Sequence, residues 1–245
     1  MNTASEHIVR PASVDHFAAL STSWGRRRQL LYLAWKRLSW RCVIGGASVA
    51  KRAVDLVLGL CALVCLSPVF VLIAVLIKFE DRGPVFFRQV RVGLFGREFL
   101  MLKFRSMRID AEQRLRDLLQ RNHHARGVTF KIKDDPRITR VGRFLRKYSL
   151  DELPQFLNVL RGDMSLVGPR PPVPREVAMY SLSDRRRLAV KPGLTCIWQV
   201  SGRARIDFPG QVQLDVRYIE SRSLREDMKI LLKTVPAVLS GNGAY

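Results

Sequence analysis

Residues 56–77 read LVLGLCALVCLSPVFVLIAVLI, 22 residues without a charge. As a helix this run is about 33 Å long, enough to cross a hydrocarbon core of about 30 Å. Ser67-Pro68 stands at its centre. Proline there removes a backbone donor and crowds the preceding turn, so the helix is expected to bend or break. Two topologies fit the hydropathy. One is a kinked single pass, since proline is tolerated in transmembrane helices. The other is a re-entrant hairpin over 54–78 that enters and leaves on the same side. Lys51 and Arg52 precede the run, and Lys78, Arg82, Arg88 and Arg91 follow it. A positive-inside bias keeps both flanks cytoplasmic and favours the hairpin.

Upstream, residues 1–50 interleave Arg26, Arg27, Arg28, Lys36, Arg37 and Arg41 with Leu30, Leu31, Leu33, Trp35, Leu38 and Trp40. This suits a basic extension lying partly in the interface as a helix. The uncharged run starts too far from the N-terminus for a secretory signal, so the N-terminus is expected to be retained.

The whole chain, 245 residues and 47% hydrophobic, is large enough to bury a core. Its 42 Lys and Arg against 21 Asp and Glu give a formal net charge of +21, which calls for anionic partners: phospholipid, nucleic acid or a phosphorylated substrate. No zinc-finger, RNP-aromatic or basic-zipper spacing is present, so nucleic acid is not expected. Cys42, Cys61, Cys65 and Cys196 lack CxxC spacing and read as reduced thiols. The four histidines form no HExxH or facial-triad pattern, which argues against a histidine-based hydrolase.

Downstream, Val85–Val92 and Glu98–Phe104 read as strands joined around Gly93–Gly96, and Asp110–His124 as an amphipathic helix. In SLDELPQ (149–155) two carboxylates stand at the start of a helix whose apolar face is Phe156, Leu157 and Leu160. Ser149 and Glu152 fit a capping box, although Pro154 sits better if Asp151 is the cap. In either register positive helix dipole keeps Asp151 ionised, with Arg143, Arg146 and Lys147 just upstream. A carboxylate beside a phosphate site has the makings of a nucleophile, with Glu152 on the metal side. Acidic residues at helix starts are also routine structural features.

Two loops follow. GDMSLVGPRPP (162–172) offers glycines that let backbone approach a ligand and Arg170, which can fork onto phosphate, or else is a rigid turn. KPGLTCIWQVSGR (191–203) brings Trp198 and Arg203, where the tryptophan can stack a base or fill the core.

From about Lys51 to Tyr245 the chain resembles the bacterial sugar transferases, the monotopic polyprenyl-phosphate phosphoglycosyl transferases. The likeness is carried by KRAVDLVLGL (51–60), Ser67-Pro68, GPVFFRQVRVG (83–93), KFRSM (103–107), DDPRITRVGRFLRKYSLDELPQFLNVLRGDMSLVGPRP (134–171) and KPGLT…WQVSGR (191–203). It implies an α+β, mainly helical fold: a re-entrant membrane helix-hairpin broken at Ser67 and Pro68, and a compact cytoplasmic-face catalytic domain over 51–245 with a small β-hairpin. It implies transfer of a hexose-1-phosphate, galactose or glucose, from a UDP-sugar to undecaprenyl phosphate through a covalent aspartyl-phosphosugar at Asp151, with release of UMP. This is the first step of exopolysaccharide repeat-unit synthesis. It further implies Mg2+ held by Glu152 and Asp151, and phosphate or nucleotide contacts from Arg146, Arg170, Lys103, Arg105 and Arg203. The setting is the bacterial inner membrane, among membrane lipids and with room for a homo-oligomer. Cys196 departs from the pattern, standing where glycine is common. The rival reading is a non-catalytic membrane scaffold of polysaccharide synthesis, against which the intact Asp151, Glu152 and Arg146 argue.

Overall fold

A computed structural model describes residues 23–111, 113 and 135–241. The helix expected over Asp110–His124 lies almost wholly outside the described residues. The chain divides into two compact units, 1–50 and 51–245, each described by itself. In the first, the described residues are helical, and Leu30, Leu31, Tyr32 and Trp35 are exposed among basic neighbours.

Helix α1 (Ser23–Asp81) ends in the second unit. Its portion Gly45–Asp81 is long and apolar enough to cross a membrane, with a mean hydropathy of 3.0 over the most apolar 18 residues, of which only 11% is buried. An apolar helix so little covered by protein is not the core helix of a soluble domain. Helical structure is continuous through Ser67 and Pro68, so these residues do not divide α1 into two helices. The local chemistry explains how the proline is accommodated. Pro68 lacks the N–H that would reach the Val64 carbonyl, and Ser67 Oγ donates to that same oxygen at 2.8 Å. Without water, an orphaned carbonyl costs several kcal/mol, so the hydroxyl replaces what the ring removed.

Within 51–245 both flanks of the apolar run pack on the same unit. On the N-terminal side, Lys51 Nζ meets Asp227 at 2.6 Å, and Arg52 donates to the Val159 and Leu160 carbonyls at 2.6 and 2.9 Å. Asp55 accepts from Ser165 Oγ and Leu166 N, both at 3.1 Å. On the C-terminal side, Ile73 and Ile77 are buried with Phe104 and Leu145. There Asp81 pairs with Arg105, and Glu80 accepts from Arg140 N at 2.7 Å. From residue 60 to residue 68 nothing is buried.

Strands β1 (Phe86–Val92) and β2 (Glu98–Phe104) form the antiparallel hairpin expected from the alternation, in the register Phe87↔Lys103, Gln89↔Met101, Arg91↔Phe99. β2 joins two cores. Met101 packs with Val159, Met164, Leu166, Val167, Tyr218 and Ile230, and Phe104 packs with Ile73, Ile77 and Leu145. Phe104 also stacks on Phe86 and meets Phe70 of α1 edge-on, with centroids 5.4 and 5.1 Å apart.

Helix α2 (Arg140–Lys147) is capped by Thr139, whose hydroxyl accepts from Gly142 N. Gly142 lies so close to the Ser106 carbonyl that a Cβ would sit 1.9 Å from it, which explains the glycine in RVGRF. Helix α3 (Gln155–Arg161) ends at Gly162 (φ 94°). Strands β3 (Ser165–Val167) and β4 (Gly193–Thr195) pair in parallel, followed by the short helix α5 (Ile197–Ser201) after α4 (Pro174–Ala178) in chain order. Gly168, one of the two glycines expected to approach a ligand, instead packs against backbone, since a Cβ on Gly193 would lie 2.0 Å from Gly168 N. Helices α6 (Phe208–Ser221) and α7 (Leu224–Ser240) close the unit. α7 buries Asp227 and Ile230 but exposes Met228, Leu232, Val235 and Leu239, one narrow stripe at helical spacing.

Candidate active site

Asp151 and Glu152 stand in a single 3-10 turn, Leu150–Glu152, that precedes α3. The capping box expected at Ser149 does not form. Ser149 adopts a left-handed backbone (φ 53°), its side chain caps nothing, and Pro154 takes the position before α3. The reason is that Glu152 is engaged elsewhere. Its Oε1 accepts from Lys103 Nζ at 2.8 Å and from Arg170 at 3.0 Å. Lys103 Nζ also lies 3.9 Å from Asp151 Oδ2. Residues 103, 151–152 and 170, which come from three separate motifs, thus converge on one buried cluster.

Asn158 holds that convergence. Fully buried, it accepts from Leu102 N at 2.9 Å and donates to the Leu100 carbonyl at 2.8 Å. One side chain of α3 therefore satisfies two backbone groups of β2, fixing Lys103 against the turn that carries the carboxylates.

Burial pushes the Asp151 carboxyl above the usual aspartate range. Lys103 draws it back, Glu152 adds to the rise, and Arg146 and Arg170 oppose it. Desolvation thus outweighs the positive surroundings that the sequence led us to expect would keep Asp151 ionised. For Glu152 burial acts the same way, but Arg170 and Lys103 more than offset it and hold the carboxyl well below its usual range. Burial lowers Lys103, while Glu152 raises Arg170. Adjacent carboxylates held in such different electrostatic surroundings are a pattern common at functional sites.

Arg146 acts on Asp151 through its charge, and Arg203 is in electrostatic reach of Glu152. Arg105, expected to bind phosphate, is instead buried against Asp81 at the foot of α1. Trp198 is core. Its indole lowers the carboxyl of Asp215, which burial nonetheless pushes up to about 6 and which pairs with Arg187. Cys196 is buried, donates to Gln199 at 3.1 Å and has its thiol pushed up by burial, so it is unreactive. Cys61 and Cys65 are free and exposed.

Sequence reasoning missed Arg91, Gln89 and Gln155. Arg91 and Gln155 line a narrow cleft with Glu152, Arg170, Met101 and Leu194, and Gln89 anchors Arg91. The signal was available in the alternation, because with Val92 opposite Glu98 the residues 87, 89 and 91 share a face with Lys103 and Met101.

The sequence profile described as Bacterial sugar transferase matches residues 46–241. The chain belongs to the bacterial sugar transferase family. It is 50% identical over 197 residues to the galactosyl transferase CpsE of Streptococcus agalactiae, covering 80% of this chain and 43% of that protein. Identity is 43% over 205 residues to the exopolysaccharide production protein ExoY of Sinorhizobium fredii, covering 82% of this chain and 90% of ExoY. It is also 43% over 212 residues to the UDP-glucose:undecaprenyl-phosphate glucose-1-phosphate transferase of Xanthomonas campestris, covering 80% of this chain and 40% of that enzyme. The chain thus spans under half of two of these relatives and nearly all of the third. The matched region of the transferase holds every residue of the site.

Among the described residues no cluster of three or more metal-ligating side chains occurs. Asp151 and Glu152 nevertheless fit Mg2+, which commonly takes one or two carboxylates and completes its shell with substrate phosphate oxygens and water.

Proposed function

We propose that the transferase moves a hexose-1-phosphate, galactose or glucose, from a UDP-sugar to undecaprenyl phosphate, priming exopolysaccharide synthesis at the bacterial inner membrane. The observation that carries this reading is the buried cluster of Asp151, Glu152, Lys103 and Arg170 in a unit built around an apolar, membrane-competent helix. The names of the relatives agree with a sugar donor and an undecaprenyl-phosphate acceptor.

Asp151 is the nucleophile. Its carboxylate oxygen bonds to the phosphorus that carries the sugar, and the bond from that phosphorus to the bridging oxygen breaks, so that UMP departs. A terminal oxygen of undecaprenyl phosphate then attacks the same phosphorus, breaks its bond to Asp151 and returns the carboxylate. Lys103 and Arg170 stabilise charge on the transferred phosphoryl group, and Glu152 holds both cations in place. Asp151 and Glu152 would hold Mg2+, which would supply further neutralisation of phosphate charge.

The lipid phosphate lies at headgroup level, and several features bring the site there. The apolar run is re-entrant in this reading. Its support is that Lys51–Asp55 and Ile73–Asp81 dock on one unit while residues 60–68 stay unburied. The apolar stripe on α7 suits the same surface, with the catalytic unit on the cytoplasmic side.

The test is UMP release by the purified protein in nanodiscs, with Mg2+, undecaprenyl phosphate and a panel of UDP-sugars. UMP from one hexose donor, abolished in Asp151→Asn with folding intact, is the expected result. Release of UDP, or turnover that survives in Asp151→Asn, overturns the mechanism. A folded protein inert with every donor points to the scaffold reading.

A further inference from the structure

Arg91 is held in an unusual way. Its Nε and one terminal nitrogen both donate to Gln89 Oε1, at 3.0 and 2.6 Å, and the other terminal nitrogen donates to the Pro171 carbonyl at 2.8 Å. Each of these partners is neutral. The next residue of β1 continues the contact, with Val92 N donating to the Pro172 carbonyl at 2.9 Å.

The loop so gripped is Pro169-Arg170-Pro171-Pro172, in which Arg170 alone has a backbone N–H. A segment so short of donors is positioned through its carbonyls by donors from outside. Gly193 N serves Pro169 at 2.9 Å, and Arg91 and Val92 serve Pro171 and Pro172. Arg91 therefore sets the loop that aims Arg170 at Glu152.

It does more than position. Arg91, Arg170 and Glu152 line one cleft. Burial lowers Arg91 to about 10, and the Arg170 charge adds to that, with Glu176 and Glu152 opposing, so it stays charged at neutral pH. The Glu152 oxygen that binds Arg170 is already shared with Lys103. A guanidinium kept cationic beside a second one, with neutral hydrogen-bond partners and two of its five N–H donors still to spend, is set to receive an anion.

We propose that Arg91, oriented by Gln89 and Pro171, is a phosphate-binding residue that grips the donor's diphosphate together with Arg170. The proposal rests on the function given above and extends it to a residue on the β-hairpin.

Arg91→Gln and Arg91→Lys in nanodiscs test it through donor KM, kcat and the affinity for UDP. Losing a charge-assisted fork is expected to raise donor KM about tenfold or more and to weaken UDP binding in step, with Arg91→Lys recovering part of the loss. Donor KM and UDP affinity within about twofold of wild type, or a loss confined to kcat, overturn the proposal. If Arg91→Gln does not fold, Gln89→Leu keeps the arginine and removes its anchor. A several-fold rise in donor KM then supports the proposal, and no rise overturns it. Should the wild type release UMP from no donor, the function above falls on its own. Pyrophosphate affinity then decides for Arg91: binding lost in Arg91→Gln supports a phosphate site, and equal binding by both proteins overturns it.

Discussion

In the proposed mechanism Asp151 attacks phosphorus as an anion, yet burial makes it harder to ionise than an ordinary aspartate. Its protonated form is inactive, so kcat/KM should fall as pH drops through an acidic limb that lies above the usual aspartate range. Lys103 is the first of the charges that pull this carboxyl down. In Lys103→Met, burial and the Glu152 charge act with less opposition, so the limb moves to higher pH and the plateau rate also falls. A pH–rate series on both proteins checks this, and a limb that stays put or moves to lower pH in Lys103→Met contradicts the assignment. The two carboxylates were legible in the sequence because an Asp-Glu pair beside a basic stretch is a local pattern. Their division of roles was not, because it depends on Lys103 and Arg170, which lie 49 and 18 residues from Glu152 along the chain.

The hairpin and the short helix α3 give the cluster its rigidity, and Asn158 is the joint between them. Asn158→Leu preserves approximate volume but leaves Leu102 N and the Leu100 carbonyl without partners. Each orphaned buried group costs about 1–3 kcal/mol. The expected outcome is a lower thermal midpoint together with a loss of activity, because Lys103 is no longer fixed against the carboxylate turn. An unchanged midpoint in Asn158→Leu would falsify the view that this side chain joins β2 to α3. Alternation disclosed both strands of the hairpin to within a residue, since period two survives any tertiary context. The start of α3 was misread for a physical reason. A capping box is a local bargain between Ser149 and Glu152, and two cations offer Glu152 stronger bonds than a backbone N–H does. The same holds for KRAVDL (51–56), whose Lys51 and Arg52 read as membrane flank and whose Asp55 carried no reading. They clamp α1 onto α3, β3 and α7, which no local rule foretells.

Hydropathy found the membrane segment, but its topology is a property of the whole unit. The 22 residues from Leu56 to Ile77 are long enough to span, and α1 stays helical through Pro68. The decisive constraint is what its two ends touch. Asp55 receives two hydrogen bonds from β3, and Ile73, Ile77 and Asp81 are held by β2, α2 and Arg105. In the proposed re-entrant topology the catalytic unit lies on one side of the bilayer, and the helix pinned to it at both ends keeps both ends on that side. Ala53 and Phe79 are exposed positions at these two ends. Single reactive cysteines placed there, with Cys42, Cys61 and Cys65 replaced and Cys196 buried, should both react with a membrane-impermeant maleimide in inverted vesicles, and neither should react in right-side-out cells. Labelling of the two positions from opposite faces would establish a spanning helix. It would also require the Asp55 contacts or the Arg105 contacts to be broken in the membrane, which would take the site away from the headgroup level where the phosphate of the proposed acceptor lies.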